Sequence, residues 1–194
     1  MTLPPRLASV LLAIGCVAVA TVGLRSTQPD VDARDYNVQI VPGRVGQAVH
    51  IRGGELEVTN VRFGSALAEY GEVSDRTAGM FVVLTIEASD TGTKDLQLTD
   101  SRLFSHEITY DSYGFPGGPL VNPGFRSTLD VAFEVDPDLI DDLTLDIYQS
   151  QLISGYAQHA RISLGITAET AERWRASGRG RTLEVGKESR QGIG

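Results

Sequence analysis

The stretch "DPDLIDD" carries four carboxylates, Asp136, Asp138, Asp141 and Asp142. Oxygen donors at that density suit a hard cation such as calcium, but the glycine and the closing glutamate of an EF-hand loop are absent. The residues fit a helical turn better. Asp136 precedes Pro137, and a carboxylate there satisfies the free N–H groups of a turn that begins with proline. No metal site is assigned. The histidines are His50, His106 and His159. His106 and Glu107 occupy neighbouring positions of an expected strand, so their side chains point to opposite faces and form no acid–base pair. His50 and His159 each stand alone in a strand-like context and read as surface or hydrogen-bonded residues. Serines are frequent, yet neither Gly-x-Ser-x-Gly nor Ser-x-x-Lys occurs. The run "GFPGGP" places prolines where a phosphate-cradling loop needs N–H donors. No catalytic residue and no cofactor are assigned, and the expectation is a protein that is not an enzyme.

The residues left for recognition are aromatic. Tyr110, Tyr113 and Phe115 gather with Pro119 in the segment "YDSYGFPGGP". They read as one long loop that covers an open end of the fold, or as a partner-binding edge, since tyrosine is favoured in such surfaces. Trp174 lies in "TAETAERWRASG" beside Arg173 and Arg175, with Arg179 and Arg181 following. That basic group can touch anionic headgroups or an acidic partner, although Glu169, Glu172 and Glu184 dilute its charge. The opposing reading rests Trp174 on the domain. Tyr110, Tyr113, Phe115 and Trp174 are the candidate binding residues.

The elements that must hold these residues are strands. "GQAVHI" and "ELEVTNVRF" flank Arg52-Gly53-Gly54, a hairpin signal. Leu56 and Val58 alternate out of phase with Val61 and Phe63, which implies a bulge near Thr59-Asn60. In "GMFVVLTIEASDTGT" the residues Met80, Val82, Leu84, Ile86 and Ala88 form one apolar face, while the other face changes from Phe81 and Val83 to Thr85 and Glu87. Such a strand is central at its start and half exposed at its end. "RSTLDVAFEV", "LTLDIYQ" and "ARISLGI" alternate cleanly. About 7–9 strands at turn-separated spacing, without alternating helices, predict an all-β antiparallel β-sandwich. A short helix is expected after residue 167, then a flexible tail to residue 194.

Three segments occur in a particular order: "FVVLTIEASDTGTKDLQL", "YDSYGF" and "NPGFRSTLDVAFEVDPDLIDDLTLDI". Together they resemble a bacterial family of exported immunoglobulin-like domains of unknown function, similar in fold to the mycobacterial immunoprotective extracellular antigen. The likeness spans residues 45–166. It implies an immunoglobulin-like sandwich behind a membrane anchor or lipid attachment, and it transfers no catalytic residue. The chain departs from the pattern at Ala88-Ser89-Asp90 and in its arginine-rich extension.

Residues 7–24, "LASVLLAIGCVAVATVGL", contain no charge and are flanked by Arg6 and Arg25. That length is at the lower edge of what spans a bilayer as a helix, so the segment reads as a transmembrane anchor with the rest of the chain outside the cytoplasm. Two alternatives export the body equally: cleavage after Ala20, where Ala18-Val19-Ala20 gives the small-x-small pattern, or lipidation at Cys16, the only cysteine. The expected organisation is an anchor or signal at residues 1–25, a linker at 26–44, the sandwich at 45–167 and the helix with its tail at 168–194. A net charge of -8 argues against nucleic acid as a partner. With 41% hydrophobic and 22% charged residues the chain can bury a core. The functional expectation is a membrane-tethered envelope domain that binds an envelope or membrane protein. The alternative is an accessory subunit of a transport or secretion complex, its N-terminal helix packed against the partner.

Overall fold

Alternating apolar residues become two stacked layers of strands in the computed structural model, which describes residues 38–114, 117–149 and 158–193. The expected anchor at residues 7–24, Cys16, the cleavage point after Ala20, residues 26–37 of the expected linker and Phe115 lie outside the described residues. Along the chain run β1 (Gln39–Arg44), β2 (Val49–Ile51), β3 (Gly54–Glu69), β4 (Glu72–Asp90), β5 (Leu96–Gln97), β6 (Asp100–Ser105) and β7 (Ile108–Tyr113). They are followed by β8 (Leu120–Val121), β9 (Phe125–Val135), β10 (Thr144–Tyr148), β11 (Gln158–Ser163), helix α1 (Ala168–Gly178), β12 (Thr182–Glu184) and β13 (Ser189–Gly192).

One layer has the order β1-β11-β10-β6-β7, and the other has β9-β4-β3-β12 with β2 on β3 and β13 on β9. β7 joins them. Its first part pairs with β6, and Ser112 and Tyr113 then pair with Phe133 and Ala132 of β9, which gives the sandwich a partly closed, barrel-like form. Between the layers Leu103, Leu145, Ile147, Ala160 and Ile162 meet Leu56, Val58, Val82, Leu84, Ile86, Val131 and Phe133 in one core. Each is at most 2% exposed, and burying each Val, Leu, Ile or Phe side chain among them contributes about 1.5–3 kcal/mol. Asp90 ends β4 at the Asp-Thr-Gly turn. Its buried carboxylate accepts the Gly92 N–H at 2.6 Å and the Leu96 N–H at 3.1 Å, so this polar residue is scaffold.

The pairing of β3 with β4 slips between Val58 and Asn60, and the extra residue returns Phe63 to the same core as Leu56 and Val58. A larger irregularity follows. Between the pairs Gly64↔Phe81 and Ala66↔Arg76, β3 advances two residues while β4 advances five. Thr77 Oγ accepts the Gly79 N–H at 2.8 Å inside this excursion. The hairpin bends back there, so that Leu67 packs with Phe81, Val83 and Ala132 on the outer face of the second layer.

Several expectations are corrected. Residues 179–194 were expected to be a flexible tail, but within them β12 pairs with β3 and β13 with β9, and Leu183 completes the outer apolar cluster. The physical reason is the apolar outer face at Phe81 and Val83, which needs a cover. Residues 39–44 of the expected linker are β1, the edge strand beside β11. The sheet is not wholly antiparallel, because β1/β11 and β12/β3 are parallel pairs. His106 and Glu107 are not strand residues but the two-residue turn between β6 and β7, with His106 at φ 52°. Tyr110 and Tyr113 belong to β7, not to a long loop.

Candidate binding groove

The bent hairpin ends in the turn Tyr70-Gly71, between the paired Glu69 and Glu72. Both turn residues have positive φ, 57° and 80°, the backbone that matches the twist of a two-residue hairpin. Gly71 adopts it freely, whereas Tyr70 is held in it as a residue 70% exposed. The segment after α1 crosses beside this tip as a strap. The Glu184 carboxylate accepts the Gly71 N–H at 3.1 Å, and the Val185 N–H reaches the Ala68 carbonyl at 2.9 Å. Further along, Gly186 donates to Asp130 at 2.8 Å and Ser127 donates to the Glu188 carboxylate at 2.6 Å.

Hairpin tip, strap and β9 enclose a groove of about 470 Å³, lined by Glu69, Tyr70, Leu129, Asp130, Glu184 and Lys187 among others. Arg62 compensates the charge of Asp130, 2.7 Å away, and also donates to the Glu184 carbonyl at 2.7 Å. The Lys187 ammonium stands 4.7 Å from the Tyr70 ring centroid, a cation–π contact. Burial raises the pKa of the Glu188 carboxyl, but hydrogen bonds from Arg190 and Ser127 outweigh it and hold the group below its ordinary value.

A second polar cluster lies on the outer face of the first layer. Asp146 is 4% exposed, with His159 Nδ1 at 2.8 Å and Arg161 Nε at 3.4 Å. The His159 ring stacks on Tyr148 at 4.0 Å with 6° between planes. Burial raises the pKa of Tyr148. The carboxylate is enclosed by its own partners, and no nucleophile is placed against the imidazole among these contacts, so the cluster ties β10 to β11. Depressions beside Gly53 and Gly92 and between α1 and the β4 bulge, of about 510 and 300 Å³, have no exposed aromatic in their linings.

The sequence candidates separate. Tyr110 packs against the central core, and its burial raises its pKa. Tyr113, 40% exposed, meets the Phe81 ring edge-on at 5.2 Å and donates to Asp75 at 3.0 Å, which raises its pKa and fastens the bent hairpin to β7. Trp174 lies 5.2 Å from the Phe63 ring on the flank of the core. Arg175 donates to the Pro137 carbonyl at 2.6 Å, joining α1 to the turn Pro137–Leu139 that Asp136 caps through the Asp138 N–H at 2.9 Å. Among the described residues no group of His, Cys, Asp and Glu is arranged to hold a metal, and no helix is long and apolar enough to cross a membrane.

The chain is similar to an uncharacterized β-sandwich protein from Clostridium difficile 630, with 10% identity and a TM-score of 0.44, covering 64% of this chain and 95% of that one. It is also similar to a "putative lipoprotein" from Bacillus subtilis subsp. subtilis str. 168, with 10% identity and a TM-score of 0.43, covering 67% of this chain and 41% of that one. No family model matches the chain, and no curated protein matches it. No residue role is transferred at such identity.

Tyr70 and Lys187 were not among the sequence candidates. The signal for the first was present in "AEYGE", where Tyr-Gly interrupts two β-prone runs and must be a turn tip. Nothing local ties Lys187 to it, because they meet only after the hairpin bends and the strap crosses.

Proposed function

We propose that this chain is a membrane-tethered, extracytoplasmic domain of the bacterial cell envelope that binds a partner through the groove at its hairpin tip, without catalysis. The observation that carries this reading is Tyr70. An aromatic residue 70% exposed, on a turn with positive φ beside a groove of about 470 Å³, is an arrangement suited to recognition. The tether rests on the uncharged run at residues 7–24, with secretion after cleavage following Ala20 as the variant that leaves the binding face unchanged. The immunoglobulin-like assignment, with kinship in fold to the mycobacterial antigen, belongs to this proposal and rests on the order of the strand and turn motifs. A photoreactive residue at position 70 in intact cells tests the reading. One discrete adduct is expected, and its absence would remove the groove as the binding site.

A further inference from the structure

The groove beside Tyr70 already holds an ammonium, and it belongs to the chain itself. Lys187 Nζ stands 4.7 Å from the ring centroid, and among the described residues the ammonium forms no salt bridge. A lone contact of this kind at an exposed site holds a flexible side chain weakly. Glu69 and Glu184 line the same mouth, and neither is paired with a cation among the described residues. Glu184 keeps one oxygen on the Gly71 N–H. Val185, partly buried against the outer apolar cluster, supplies apolar wall beside them, suited to the methylene stem of a long side chain.

Resting on the proposed binding role, we propose that the groove receives the ammonium of a lysine side chain presented by an extended segment of a partner protein, with Lys187 as the resident group it displaces. Lysine fits better than arginine. A compact ammonium with three donors can pair with a carboxylate of the mouth while it rests on a ring face, whereas a planar guanidinium favours one carboxylate bidentately. The volume lies within the roughly 300–1,000 Å³ usual for ligand sites, large enough for a side chain with its flanking backbone. The net charge of -8 favours the approach of a basic segment.

The test titrates the full chain in non-ionic detergent with a fluorescein-labelled pentalysine peptide near physiological salt, read by fluorescence anisotropy. Saturable binding is expected. It should weaken at least tenfold in Tyr70→Asn, a substitution that tolerates positive φ. It should tighten about threefold or more in Lys187→Ala, where the resident cation is gone, and weaken in Glu184→Gln, which can still accept the Gly71 N–H. A pentalysine peptide acetylated on every side chain should not bind. Equal affinity in Tyr70→Asn, weaker binding in Lys187→Ala, equal binding of the acetylated peptide or equal binding of pentaarginine would each overturn the proposal. A cellular adduct from position 70 together with no lysine-dependent binding would remove the lysine chemistry and leave the groove as the interaction site. Lysine-dependent binding without any cellular partner would do the reverse.

Discussion

Asp146 is a carboxylate on the solvent side of a sheet that is nonetheless 4% exposed, because its own partners cover it. His159 was legible as a hydrogen-bonded residue, but its partner, 13 positions away, depends on the register that sets Tyr148 opposite His159 and Asp146 opposite Arg161. Removing the carboxylate leaves a half-buried imidazole without its acceptor, so Asp146→Ala is expected to lose about 1–3 kcal/mol in urea denaturation, with less loss in Asp146→Asn. An unchanged midpoint would show that the contact contributes nothing. Glu188 gives a pH dependence. Its folded pKa lies below the ordinary carboxylate value, so its stabilising effect is complete above the unfolded pKa and is lost as pH falls through the folded one. The urea midpoint of the wild type should therefore fall more steeply below about pH 4.3 than that of Glu188→Gln, and parallel curves would contradict the assignment.

At the scale of elements, the bent hairpin and the strap depend on each other. Leu183 is 1% exposed and sits over Gly64, where an added Cβ would come within 2.6 Å of Leu183 Cγ and 2.8 Å of the Arg181 carbonyl. Leu183→Ala is expected to cost about 2–5 kcal/mol by opening a cavity between Leu67 and Phe81, measured as a shift in the unfolding midpoint. A shift under half a unit of kcal/mol would mean that the strap is only laid on the surface. The sequence showed the core strands well, because Leu129, Val131, Phe133 and Val135 alternate with polar residues and such alternation survives folding. It hid the strap for a physical reason. β12 and β13 are three and four residues long, and all four of β13 are exposed, so little periodicity is available to read. The remaining clue was complementary: Phe81 and Val83 form an apolar outer face, and "TLEV" brings Leu183 and Val185 to it. The bulge at Val58/Asn60 was visible as a change of phase, but the larger excursion in β4 was not, because Thr77, Ala78 and Gly79 carry no apolar pattern to interrupt.

For the whole molecule, β7 passes from one layer to the other and divides the recognition candidates: Tyr110 faces the core between the layers, and Tyr113 faces the bent hairpin outside. The exposed aromatic tip at Tyr70 and Ile108, the first residue of β7 and 42% exposed, sit on different hairpins, and the groove lies beside only the first. Ile108 is therefore the control surface. The most direct measurement is photocrosslinking in intact cells from single positions 70, 113 and 108, with mass spectrometry of the adducts. The expected result is one discrete adduct from position 70, a weaker one or none from 113, and none from 108. A chain that crosslinks equally from 70 and 108, or from neither, would contradict binding at the hairpin tip.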